Sequence, residues 1–173
     1  MFNTATTFTS RVLSFLLIAL WATGCAVSPY SSDSKKASES LLSKQIQEAR
    51  SKVQASEAPR VLFAGFAMNS ESKAFQADVR TGTQFVKQLD PQAVIFQLAI
   101  PAVGESSSLP YATRENIQAV IAAIGQLARP QDKVVLLFST DGAPDILSIH
   151  ADKPSPAVRS GDLRLQTADT LLP

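Results

Sequence analysis

The chain has 173 residues, 45% of them apolar, with 16 basic against 15 acidic side chains and a net charge of +1. That apolar share is too high for a disordered chain and suits one packed domain. The near-neutral balance leaves no basic footprint, which excludes nucleic acid and acidic substrates as partners drawn in by charge.

Arg11 is the only charged side chain ahead of an apolar core at residues 12–21. That core is far shorter than the ~20 residues needed to cross a bilayer. It fits the apolar region of an export signal. Ala22, Thr23, Gly24 and Cys25 follow at once. Cys25 is the single cysteine, so no intrachain disulfide can form. Small residues leading to a thiol resemble the lipobox of bacterial lipoproteins, where the cysteine receives lipid. The resemblance implies cleavage before Cys25 and a membrane partner reached through its lipid. A plain secretory signal with an incidental cysteine, or a short N-terminal anchor, is the alternative. The expected organisation is a signal at residues 1–24, a tether and amphipathic helix at 25–58, and one α/β domain at 59–173.

Residues 26–34 are serine-rich and read as the tether. Residues 35–54 place Leu41, Leu42, Ile46, Ala49 and Val53 at near-helical spacing, a narrow apolar stripe on a polar helix. A packing helix is the favoured reading and a free stalk the other. Residues 60–66 form an apolar run that predicts a strand. Residues 71–89 carry Phe75, Val79, Phe85, Val86 and Leu89, a helix with Gly82 inside it and Ser70 as its expected N-cap. Residues 93–100 are a second apolar run, ended by Pro101, and 102–109 are a loop. Thr113 should cap a helix over 114–127, whose Ile117, Val120, Ile121, Ile124 and Leu127 make the clearest stripe in the chain.

Residues 133–149, KVVLLFSTDGAPDILSI, organise the rest. The run at 134–138 reads as a strand buried on both faces. It turns polar at Ser139, Thr140 and Asp141 and breaks at Gly142 and Pro144. In open α/β sheets, ligands sit beyond the carboxyl ends of such strands, so 139–145 is the first place to look for chemistry. A short strand follows at 146–149, then a loop at 151–160. Leu163, Leu165, Leu171 and Leu172 suggest the start of another helix. Alternating strands and helices predict a three-layer α/β domain with a mainly parallel sheet. The runs at 61–66, 94–98 and 134–138 should be neighbours in it, with Ile117, Val120, Ile121 and Ile124 on one face. Gly65 and Gly142 read as turn glycines, and no phosphate-binding glycine motif is present.

Three segments together resemble one family. They are RVLFAGFA at 60–67, LPYATRENI at 109–117, and 134–145, which is similar to a strand leading into Thr-Ser-His-Gly. The family is the bacterial branch of the legumain-like C13 cysteine peptidases, and the resemblance implies a caspase-like fold over residues 59–173. It also implies a His–Cys dyad. A cysteine attacks only as thiolate, and an adjacent imidazole makes that thiolate. Asp141 stands at the dyad His position, and Gly142 at the turn whose backbone N–H groups would face an oxyanion. No cysteine follows Cys25. The expected domain is therefore C-terminally truncated relative to the family and inactive as a cysteine peptidase, with no cofactor and no metal.

Two other readings stand beside this one. One is a membrane-tethered module that holds a peptide or protein partner in the cleft or along the 35–54 helix. The other is a hydrolase using Asp141, Asp145 and Asp162 as carboxylates or ligands of a hard cation, against ordinary turn chemistry at Asp-Gly and Pro-Asp. A Ser139–His150–Asp141 arrangement lacks a nucleophile elbow around the serine. His150, the only histidine, reads as a loop residue.

Overall fold

The computed structural model describes residues 30–102, 104–149 and 163–164. Cys25, His150, Asp162 and residues 165–173 lie outside the described residues. The helices are α1 (Ser32–Gln54), α2 (Lys73–Leu89) and α3 (Arg114–Leu127). The strands are β1 (Val61–Ala67), β2 (Val94–Ala99) and β3 (Lys133–Ser139), then the short β4 (Gly142–Ala143), β5 (Ile146–Leu147) and β6 (Leu163–Arg164). Where another helix was expected, Leu163 and Arg164 form a strand.

β1, β2 and β3 make one parallel sheet with β1 in the centre, in the order β2-β1-β3. Strand alternation explains the layers. Leu62, Ala64 and Phe66 of β1 join Val94, Phe96 and Leu98 of β2 in one core with α1 and α3, through Leu42, Ala49, Ile117, Val120 and Ile124. Phe63 and Ala67 point to the other face, where Val79 and Val86 of α2 cover them. The protein is thus a three-layer α/β fold with a parallel sheet between helices.

α2 lies unusually close to the sheet. Gly65 is within β1 and is not a turn residue, because a Cβ there would come within 2.6 Å of Val79. Ser72, not Ser70, caps this helix by accepting from the Ala74 N–H, so α2 begins at Lys73. Thr113 caps α3 as its sequence suggests.

Two apolar expectations fail for one reason, the position of β3 at the outside of the sheet. Val134, Val135 and Leu136 are 46%, 42% and 40% exposed rather than buried on both faces. On one face α1 covers β2 and α3 covers β1, and on the other α2 reaches Leu137 and Ser139, so among the described residues no helix covers Val134, Val135 and Leu136. Ile121, Phe85 and Leu89 are likewise exposed.

α1 is a packing helix. It starts at Ser32, capped by Ser31, three residues before the predicted start. Leu42 and Ala49 belong to the main core, so the packed unit begins ahead of residue 59. Buried Arg60 reaches back to the end of α1 and donates to the carbonyls of Lys52, Ser56 and Ala58. These include groups that a helix C-terminus leaves without intrahelical partners, and a cation there also suits the helix dipole. Arg129 adds bonds to Glu57 and to the Ser56 and Ala58 carbonyls. Its partner Asp132 accepts from the Arg60 and Arg129 N–H groups and from the Arg129 guanidinium. Burial pushes the Asp132 carboxyl up, but these bonds and the Arg129 charge outweigh it and hold the group below the ordinary carboxylate value.

Candidate functional site

The carboxyl ends of β1 and β3 stay joined beyond the strands, since the Met68 N–H donates to the Ser139 carbonyl at 3.0 Å. This brings Asn69, just past β1, against Asp141, just past β3. Asn69 is fully buried, and its Nδ2 donates to Asp141 Oδ2 at 2.8 Å. Its Oδ1 accepts from the Glu71 N–H at 2.8 Å. Both ends of the amide are therefore used, and the Asp141 carboxylate is held from below while its other side faces solvent.

Ser139 is buried, and its hydroxyl donates to Asp78 Oδ2 on α2 at 2.7 Å. The hydroxyl proton is committed to Asp78 and not to Asp141, so the structure does not bring Ser139 and Asp141 together as nucleophile and acid. Thr140 Oγ1 donates to the Ser148 carbonyl, and the Ser148 N–H donates to the Asp141 carbonyl. These two bonds fold residues 140–148 into a hairpin over the end of β3.

Gly142 opens that hairpin. A Cβ at Gly142 would come within 2.4 Å of the Ile146 carbonyl oxygen, a backbone atom with no rotamer to escape through. Pro144 and Asp145 form the two-residue connection between β4 and β5, and Asp145 has φ 61°. Proline followed by a positive-φ residue is the pattern of a type II turn. Asp145 is thus explained by turn geometry, whereas Gly142 lies within β4 and not in the turn, its glycine required by the close Ile146 carbonyl.

Of the predicted residues, the structure places Ser139, Asp141 and Gly142 at one end of the sheet. Asp145 is exposed at the hairpin tip. Among the described residues no group of three His, Cys, Asp or Glu side chains could hold a metal ion. Cys25, His150 and Asp162 lie outside those residues. Asn69 and Asp78 were missed. Asn69 had one legible signal, a lone amide where an apolar strand ends. Asp78 sits among apolar neighbours on α2, and nothing in the sequence paired it with a serine 61 residues away.

Away from this crevice, a hollow of about 310 Å³ lies between α1 and β2, lined by Gln45, Lys52, Lys87 and Gln97 among others. Here Gln45 donates to the Gln97 carbonyl and accepts from the Gln97 N–H, and Lys52 donates to the Ala93 carbonyl. No helix among the described residues is long and apolar enough to cross a membrane. No family model, curated protein or solved structure matches the chain.

Proposed function

We propose that the protein is a lipid-anchored domain of the bacterial cell envelope, related to legumain-like cysteine peptidases, which holds a peptide or protein partner at the strand-end crevice without cleaving it. The observation that carries the reading is the Asn69–Asp141 contact. At the position where the resemblance expects an imidazole base, this chain has a carboxylate fastened by a buried amide. A base takes a proton from a nucleophile; a fastened carboxylate accepts hydrogen bonds from a ligand's N–H groups. The only thiol is Cys25, the residue expected to carry lipid, so thiolate chemistry has no nucleophile in the domain. The three-layer architecture and the strand-end position of Asp141 are in keeping with that ancestry.

The test uses the full chain in a non-ionic detergent and a library of fluorescent peptides with Asn or Asp at a central position. Saturable binding without turnover is expected, weakened at least ~10-fold in Asp141→Ala, as for loss of a charge-assisted hydrogen bond. Asp141→His should create no activity. Turnover that vanishes in Asp141→Ala would replace this reading with a carboxylate-based hydrolase. Failure of every peptide to bind would remove the crevice as a binding site.

A further inference from the structure

The two outer strands of the sheet are treated in opposite ways. β2 is closed by its own chain. The outward backbone groups of Gln97 are taken by the Gln45 side chain, the Ala93 carbonyl by Lys52, and those of Ala99 by Pro110 and Ala112. Side chains and loops that occupy an outer strand are how folded proteins prevent unwanted pairing. β3 carries no such cover among the described residues, and its Val134, Val135 and Leu136 are the exposed apolar residues of the sheet.

The outward groups of β3 can be assigned from its bonds to β1. The Lys133 N–H donates to the Arg60 carbonyl, and the Ser139 carbonyl accepts from Met68. Odd-numbered residues therefore turn their backbone groups inward. Val134, Leu136 and Phe138 turn theirs outward, since backbone direction alternates along a strand. The apolar surface continues onto α2. Asp78 touches Ser139, and Gly82 lies against Leu137. Phe85 and Leu89 follow on the same stripe at helical spacing and are 59% and 67% exposed.

We propose that β3 pairs with β3 of a second copy of this chain, antiparallel about a two-fold axis through Leu136, giving one continuous six-stranded sheet. The occupant follows from self-complementarity. With Leu136 opposite Leu136, Val134 falls opposite Phe138, and all of these residues present outward N–H and C=O groups. In an antiparallel ladder such facing residues each exchange two hydrogen bonds. Lys133, the only charged residue of the strand, falls opposite Ser139, so no like charges meet. A two-fold contact uses the same patch on both copies and closes at the dimer. Dimerisation is bimolecular, so the dimer fraction rises with protein concentration.

The test is sedimentation of the full chain in non-ionic detergent across a ~100-fold concentration range, with Leu136→Lys as the variant. Leu136 is already 40% exposed, so the lysine is tolerated by the monomer, and unchanged circular dichroism confirms the fold. Reversible dimers are expected, with association weakened at least ~10-fold in the variant, where like charges meet at the axis. Register is read in a Cys25→Ser background with a short bismaleimide. Leu136→Cys should cross-link to itself, whereas Val134→Cys should not, because four residues of offset separate those thiols by about 14 Å along the strands. A monomer at all concentrations would overturn the proposal. Dimers indifferent to Leu136→Lys, open-ended oligomers, or equal cross-linking at both positions would also overturn it.

Discussion

Replacing Asn69 by alanine measures what holds the strand-end crevice in shape. Asn69 is fully buried and makes two hydrogen bonds, one to the Asp141 carboxylate and one from the Glu71 N–H. The bond to the carboxylate is charge-assisted and contributes about 1.5–3 kcal/mol. The neutral bond contributes about 0.5–1.5 kcal/mol. Asn69→Ala should therefore cost roughly 2–4 kcal/mol, a large part of a typical domain's 5–15 kcal/mol. For a unit of this size that lowers Tm by about 10 °C. Asp141→Ala removes only the charged bond but strands a buried donor, and should cost about 1.5–3 kcal/mol. Because the two residues share one contact, the double variant should cost less than the sum by about 1–2 kcal/mol. Urea unfolding of the wild type and three variants supplies the cycle. Additivity within about 0.5 kcal/mol, or a neutral Asp141→Ala, would refute the claim that these residues act as one unit.

Two further outcomes follow from the geometry. Gly142→Ala places a Cβ where the Ile146 carbonyl oxygen sits, so the hairpin must open, at a cost of about 1–3 kcal/mol; protease cutting within residues 140–148 should quicken, and an unchanged digestion pattern would contradict this. Asp132 has its carboxyl pKa lowered in the folded state, so its stabilising effect is present above the unfolded carboxylate value and is lost as pH falls through the folded one; Tm of the wild type should fall below about pH 4 more steeply than that of Asp132→Asn, and parallel acid limbs would remove Asp132 from the explanation.

The arrangement of the sheet was legible because periodicity reports which side of an element is apolar. The stripe of α3 and the three apolar runs led to the observed helix and to three adjacent parallel strands. Periodicity does not report what covers an element. The run at β3 reads as doubly buried in sequence, yet it lies at the outside of the described sheet, where α2 reaches Leu137 and Ser139 but leaves Val134, Val135 and Leu136 exposed. Phe85 and Leu89 illustrate the same limit on α2, being apolar and on a coherent stripe that extends past the edge of its support. Gly65 was misread because close helix–sheet approach and turns both call for glycine. At the site, Asp141 was found from the end of an apolar run. Its partner Asn69 was not, because a contact across 72 residues is made by the sheet register and leaves no local trace.

Joined to the geometry, the lipid proposal implies which end of the domain would face the membrane. The N-terminal half of α1 lies at the carboxyl end of the sheet. Tyr30, just ahead of it, donates to the Pro101 carbonyl, and Ser38 accepts from the Tyr111 N–H. Its C-terminal end lies at the opposite end, against Arg60 and Ala93. Six residues lie between Cys25 and Ser32, a reach of at most about 25 Å when extended. Lipid on Cys25 would hold the Asn69–Asp141 crevice near the bilayer surface, and the partner proposed for it would then lie close to the membrane. Metabolic labelling with a clickable fatty acid should mark the wild type and leave Cys25→Ser unmarked; equal label in both would end the proposal. Two acyl chains hold a protein firmly where one holds it weakly, so membrane partitioning should survive a salt wash. Inserting ten Gly-Ser residues after Ala26 should keep the label and the fold but loosen that placement, lowering the yield of a lipid-headgroup cross-linker attached at Thr140→Cys in the crevice. A cross-link yield insensitive to the insertion would mean that the tether does not orient the domain.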